Sequence, residues 1–207
     1  MIKIENVEVY GFKAAIRGMR NPMNSHSKSD SGYVASGEHY EDVDYVVGEN
    51  DLSLMKRLAK AGRPHRKYLR MIHVSMDITA PDFFFKEFDT YRIGITENST
   101  STMHKLASRE LTIDDFSLED MPIEEAEEIV KHNEERRLLY KQTGEKKEWR
   151  ALIEGLPMSY NYRRTVDMNY ENVLNIIHQR TGHKLSEWET LIEELKKLPY
   201  VEELLND

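Results

Sequence analysis

The 207-residue sequence contains no cysteine. That absence removes disulfide frameworks, thiolate metal sites, iron–sulfur clusters and any cysteine nucleophile, so chemistry here runs through nitrogen and oxygen groups or a cofactor. No apolar run approaches the ~18 residues of a membrane-spanning helix. Met1-Ile2-Lys3-Ile4-Glu5 also lacks the apolar stretch of a secretory leader, and a cytoplasmic chain is expected. Glycine-rich phosphate loops are missing: the ten glycines never form G-x-G-x-x-G or G-x-x-x-x-G-K-S/T, which argues against a Rossmann or P-loop nucleotide site. Basic residues are in the minority, 29 Lys and Arg against 37 Asp and Glu, for a net charge of −8. That sign argues against general DNA or RNA binding, whose phosphate contacts need a basic face. The eight histidines never form H-E-x-x-H, and His178 and His183 do not share a helix face, so no metal site is expected.

What is present describes a charged, wet surface around a real core: 39% apolar and 32% charged residues, with a mean hydropathy of −0.67. One α/β (α+β) domain over 1–207 is expected, a small sheet flanked by helices with a helical C-terminal half. Ile2 to Tyr10 alternates and is β-prone, and Phe12, Ala15, Ile16 and Met19 then recur at helical spacing. Residues 21–48 are rich in turn formers and read as a long loop with room for a short hairpin. Asn50 or Asp51 can cap a helix carrying Leu52, Met55, Leu58 and Ala59, with Gly62 as its stop.

The strongest strand pattern is 71–79, where Ile72, Val74, Met76 and Ile78 face one way and Met71, His73, Ser75 and Asp77 the other. Pro81 then suits the first turn of a helix, and Phe84, Phe85 and Phe88 predict a buried-face helix from Asp82 to about Thr90. Ile93 to Met103 is small and hydroxylated and reads as a loop, or a loop leading into a helix. Two helical patterns lie between Pro122 and Arg150, separated by Thr143-Gly144. Acids crowd the first turn of the earlier one, a solvated face being a simpler reading than an interaction surface. Thr165 to Gln179 reads as helix, Gly182 breaks it, Ser186 (or Leu185) to about Leu198 forms the last helix, and 199–207 reads as a loose tail.

Two local basic groups stand out: Arg63-Pro64-His65-Arg66-Lys67 with Arg70 just beyond, and Arg163-Arg164. Brought together they suit a phosphate; apart, they are ordinary surface charge.

Leu156-Pro157, Arg163, Asn169, Asn175 and Arg180 spell L-P-x5-R-x5-N-x5-N-x4-R, which resembles the C-terminal signature of the flavin-dependent thymidylate synthases. Upstream, ENDLSLMKRLAKAG resembles that family's early helix, the strand running into Ala80-Pro81 its strand into Ala-Pro, and FFFKEFDTYR the helix leading to its defining motif. The resemblance spans most of residues 1 to 195. The defining motif itself, R-H-R-x-x-S-x-N-E-x-S-x-R, falls on Thr90 to Thr102 and is mostly altered. Arg92 is kept; Tyr91, Ile95, Thr100 and Thr102 replace His, Ser, Ser and Arg, and Glu97-Asn98 reverse the order Asn-Glu. Further on, Asn169-Tyr170-Glu171 replaces Asn-x-Arg, and Ile153 stands where the family has an arginine, with Arg150 a turn earlier.

The resemblance implies flavin-dependent methylation of dUMP to dTMP, with FAD as cofactor, NADPH and methylenetetrahydrofolate as co-substrates, and no protein nucleophile. It directs Arg92, Asn98, Asn169 and Asn175 toward flavin. Glu87, Thr100, Ser101, Thr102 and Arg180 are directed toward the nucleotide, the hydroxyls toward its phosphate, with His104-Lys105 close by. It also implies a homo-oligomer, a homotetramer with flavin sites between subunits. The altered motif leaves a second reading, a relative that binds nucleotide or flavin without synthase activity. A third is a purely structural acidic interaction protein. Independently of the family, Asn169, Val173, Ile176 and Arg180 fall within a stripe of roughly 60° on a helix. An arginine on such an apolar seam needs either a ligand or an internal acid, for which the acidic helix after Pro122 is the candidate.

Overall fold

The alternating N-terminal segment forms β1 (Lys3–Tyr10) and the 3.6-period segment after it α1 (Phe12–Arg20) in the computed structural model of the chain, which describes residues 2–37 and 43–205. Gly11 turns the corner between them at φ 100°, where a Cβ would collide with the Met71 carbonyl oxygen, so only glycine fits. The turn-rich stretch holds two 3-10 turns and an antiparallel hairpin, β2 (Gly32–Ala35) with β3 (Val43–Val46); residues 38–42 lie outside the described ones.

Gly48 caps α2 (Glu49–Lys60), in place of the expected Asn50 or Asp51. Asp51 is instead fully buried, because its carboxylate neutralises buried Arg20 from α1 at 2.5 Å. Gly62, at φ 91°, follows that helix as expected.

Next come β4 (His73–Pro81), α3 (Asp82–Phe88), β5 (Ile95–Ser99) and α4 (Thr102–Lys105). The remainder is α5 (Ile123–Thr143), α6 (Lys146–Glu154), β6 (Asn161–Asn169), α7 (Tyr170–Arg180), α8 (Ser186–Lys196) and α9 (Val201–Leu205). Apart from β6, the C-terminal half is helical. The main sheet is antiparallel throughout, in the order β1-β4-β6-β5. Val74, Met76 and Ile78 of β4, with Val166 and Met168 of β6, point to one face and are at most 1% exposed. Ala15, Ile16, Phe84, Phe85, Val173, Ile176, Trp188 and Leu191 complete this core. Each buried Val, Leu, Ile, Met or Phe side chain among them contributes about 1.5–3 kcal/mol by leaving water. The opposite face, with His73, Ser75, Asp77, Arg163, Thr165, Asp167, Thr96 and Asn98, is polar and half-buried to exposed. A satellite core of Leu106, Leu111, Phe116 and Leu152 underlies α5 and α6.

Four further sequence expectations are corrected. Residues 95–99, expected in a loop, form edge strand β5, because an edge strand needs one hydrogen-bonding partner, here β6, and no apolar run. Residues 165–169, expected helical, are the end of β6; Val166 and Met168 alternate into the core, and the helix starts at Tyr170. Pro81 closes β4 and is the N-cap of α3 where a place in its first turn was expected, while the helix itself starts at Asp82 as expected. The segment expected as a loose tail carries α9, whose Val201 and Leu204 are buried, and the Tyr170 hydroxyl donates to the Pro199 carbonyl at 3.0 Å. Among the described residues, no helix is long and apolar enough to cross a membrane.

Candidate functional site

Packing of α3, α7 and α8 on the sheet brings the end of α3 to the end of α7. There Arg180 donates from Nη1 to Glu87 Oε2 at 2.7 Å and from Nε to the Tyr91 hydroxyl at 2.9 Å. Its guanidinium lies 4.5 Å from the centre of the Trp188 ring, a cation–π contact. The same Glu87 oxygen accepts from Trp188 Nε1 at 3.1 Å and lies 3.2 Å from His183 Nε2. Arg180 on its apolar seam thus has an internal acid, which comes from α3 and not from the acidic helix α5. Glu87 and Arg180, both directed toward the nucleotide by the resemblance, hold each other. Nη2 of Arg180 has no partner among the described residues. Sequence reading missed Tyr91, His183 and Trp188 as parts of this cluster, because only tertiary packing joins segments about a hundred residues apart.

Asn169 lies at the other end of α7 and caps it: Oδ1 accepts from the Asn172 backbone N–H at 3.1 Å. Gly94, at φ 79°, packs against this cap so closely that a Cβ would sit 2.5 Å from Asn169 Nδ2. Asn172 Nδ2 donates to the Ile93 carbonyl at 2.9 Å, stitching the 93–94 loop to the helix start. Arg92 is exposed beside that loop; its Nε donates to the Asp89 carbonyl at 3.1 Å, and its terminal nitrogens are free among the described residues. Asn98 is exposed on β5 opposite Thr165. Asn175 is half-buried on α7.

Thr100, Ser101 and Thr102 leave the sheet where the Thr100 N–H donates to the Arg163 carbonyl at 2.9 Å. With Thr79, Lys105, Arg109, Asp114, Asn161 and Arg163 they line a cavity of about 170 Å³. Arg109 is engaged by Asp115 through two bonds, and Arg163 by Asp77 at 2.7 Å. Burial works to raise the Asp115 carboxyl, but the Arg109 guanidinium and the Thr112 N–H hold it below its ordinary value. Arg163, Thr165 and Asn6 hold Asp77 well below the usual carboxylate range. Burial pushes the Tyr160 and Tyr162 hydroxyls at this cavity up, keeping them protonated at neutral pH.

The two basic groups are not brought together. Arg66 and Arg70 both reach Glu171 at the start of α7, at 3.1 and 2.8 Å. Arg163 lies near the opposite end of β6, six residues before Asn169 and so roughly 20 Å of strand away. Arg164 faces the core side, between Asp89 and Glu97 at 2.6 Å each and 3.9 Å from the Phe85 ring centre. A larger hollow of about 800 Å³, bounded by residues 117–122, α5 and α8, contains none of the candidate residues.

The outward sheet face holds one further constellation. Asp167 accepts from the Tyr10 hydroxyl and, at 2.8 Å, from Ser75 Oγ, and lies 2.9 Å from His73 Nδ1. Burial works to raise this carboxyl, but the three partners lower it more. Three separate strands supply these residues, so strand register was the missing signal. Among the described residues no group of three or more His, Asp or Glu is placed to hold a metal.

No protein-family model and no curated protein matches the sequence. Solved structures do. A flavin-dependent thymidylate synthase from Helicobacter pylori, complexed with FAD and dUMP, superposes with a TM-score of 0.75 at 17% identity, covering 98% of this chain and 97% of that one. A second Helicobacter pylori structure with FAD and dUMP gives 0.75 at 17%, covering 99% and 98%. A UMP/dUMP methylase from Streptomyces cacaoi bound with 5-Br dUMP gives 0.66 at 14%, covering 95% and 88%. The chain has the flavin-dependent thymidylate synthase fold along nearly its whole length.

Proposed function

We propose that this protein binds FAD and dUMP and methylates the nucleotide to dTMP, with methylenetetrahydrofolate as carbon source and NADPH as reductant. The observation that carries this reading is the end-to-end fold likeness to two complexes with FAD and dUMP and to a methylase holding a dUMP analogue. The absence of cysteine agrees with a route that needs no protein nucleophile.

The exposed donor set fits a dinucleotide cofactor: Arg92 leaves two guanidinium nitrogens for a diphosphate, and the Asn98 amide is free among the described residues. When bound, the flavin supplies the redox chemistry; the chain supplies position and charge. Arg92, Asn98 and Asn175 would hold the cofactor, with Asn169 fixing the Gly94 loop from beneath. Arg180, held by Glu87 and Tyr91, would donate from Nη2 to the uracil base, and the hydroxyls of Thr100, Ser101 and Thr102 would meet the phosphate. A flavin site drawing on these residues would be completed by a second subunit in a homotetramer.

A second reading, nucleotide or flavin binding without synthase activity, is favoured by one group of contacts. Glu97 is engaged by Arg164 and Glu171 by Arg66 and Arg70, so acids at motif positions serve the fold. Incubating the purified protein with FAD, dUMP, methylenetetrahydrofolate and NADPH and assaying dTMP separates the readings. Formation of dTMP is the expected result. Binding of FAD and dUMP without dTMP selects the second reading, and no binding of either rejects both.

A further inference from the structure

We infer that Lys105 is the cation that holds the nucleotide's phosphate, replacing the arginine that the resemblance places at Thr102; the inference rests on the dUMP reading above. Three cations line the 170 Å³ cavity. Arg109 is neutralised by Asp115 and Arg163 by Asp77. Lys105 alone of the three has no acid partner among the described residues.

Its placement follows from the short helix α4. Thr102 and Lys105 are three residues apart and therefore share a side of that helix. The Lys105 N–H is fixed by the Ser101 carbonyl at 3.0 Å, and Leu106, the next residue, is buried in the satellite core. The backbone is anchored while the ammonium is left to swing over the hydroxyls of Thr79, Thr100, Ser101 and Thr102. Lysine suits this task as a point charge, needing no planar partner. These hydroxyls add neutral hydrogen bonds around it.

The cavity also sets a limit. Its volume of about 170 Å³ has room for a phosphate group, and the limit is one of charge and not of space. Asp114 lines it as well, so a second phosphate would meet a carboxylate with no further free cation. The ligand class is therefore a phosphomonoester, selected against di- and triphosphates.

Calorimetric titration of wild type, Lys105→Gln and Lys105→Arg with dUMP, dUTP, deoxyuridine and inorganic phosphate tests this. Lys105 is exposed, and unchanged melting temperatures will show that the variants fold. Expected are tighter binding of dUMP than of dUTP or deoxyuridine, and about tenfold weaker dUMP and phosphate binding in Lys105→Gln for the loss of one charge-assisted bond. Deoxyuridine binding should not change, and Lys105→Arg should restore most of the dUMP affinity. Wild-type-like dUMP binding by Lys105→Gln rejects Lys105 while leaving the nucleotide reading intact. Lys105-dependent phosphate binding without dUMP binding rejects the nucleotide reading and keeps the anion site. Binding of neither ligand by wild type overturns both.

Discussion

Glu87 and Arg180 form an ion pair at 2.7 Å between the ends of α3 and α7, and Trp188 and His183 close on the same Glu87 oxygen. Two side chains directed toward the substrate by sequence resemblance are thus one preorganised unit. Tyr91 and the Trp188 ring fix the guanidinium further, so little side-chain freedom remains to be lost when Nη2 meets a ligand.

Arg180→Ala should therefore lower stability as well as dUMP affinity. Breaking a buried pair costs about 3–5 kcal/mol. Here the Glu87 side chain is 36% exposed and keeps its Trp188 bond, so about 1–2 kcal/mol is expected, several degrees in melting temperature. In a double-mutant cycle, adding Glu87→Gln should cost less than the two single losses combined. An unchanged melting temperature in Arg180→Ala contradicts the pairing.

Gly94→Ala should disturb the other end of α7. The residue adopts φ 79°, and its new methyl would press on Asn169 Nδ2. A left-handed non-glycine residue costs about 1–2 kcal/mol, before the cap of α7 is displaced. Urea unfolding should show this loss, together with weaker FAD binding if Asn169 supports the cofactor loop. Wild-type stability would contradict the close packing.

Acid should unfold the protein through its engaged carboxylates. Burial works to raise Asp51, but Ser31, Ser29, Arg20 and the Asp30 N–H outweigh it and hold the carboxyl below its ordinary value. Asp77, Asp115 and Asp167 are lowered too. With folded values below unfolded ones, the stabilisation is present above the unfolded pKa of ~3.9 and is lost as pH falls through the folded values. Urea midpoints should be unaffected by these groups from about pH 6 to 8 and fall below about pH 4. Asp51→Asn strands buried Arg20, should cost about 3–5 kcal/mol at neutral pH, and should flatten the acid limb.

Thr102→Arg restores at the cavity the charge that the resemblance expects there. One added charge-assisted bond should tighten dUMP binding by about tenfold in calorimetric titration. Weaker binding in the variant would place the phosphate outside the Thr100 to Thr102 loop.

The legible parts of the fold were those whose pattern is complete within one segment. The alternation through Val74, Met76 and Ile78 needs no partner to be recognised. In β6 the same alternation is present in Val166 and Met168, but the helical spacing of Val173 and Ile176 continues so closely after it that a helix reading ran five residues too far upstream. β5 carries one large apolar residue, Ile95, and is a strand because β6 offers it hydrogen bonds. Asp51 looked like a helix cap because its true partner, Arg20, is thirty-one residues away. The Asn169-to-Arg180 seam was readable from spacing, whereas the acid that completes it was not. The hydroxyl run at Thr100 was visible too, but which nearby cation stays free depends on the pairings of Arg109 and Arg163.

The most direct measurement is the visible absorption spectrum of the purified protein after incubation with FAD and gel filtration, followed by titration with dUMP. A flavin band that stays with the protein and shifts on addition of dUMP is the expected result. A colourless protein whose spectrum and melting temperature are unmoved by dUMP would contradict a shared flavin and nucleotide site.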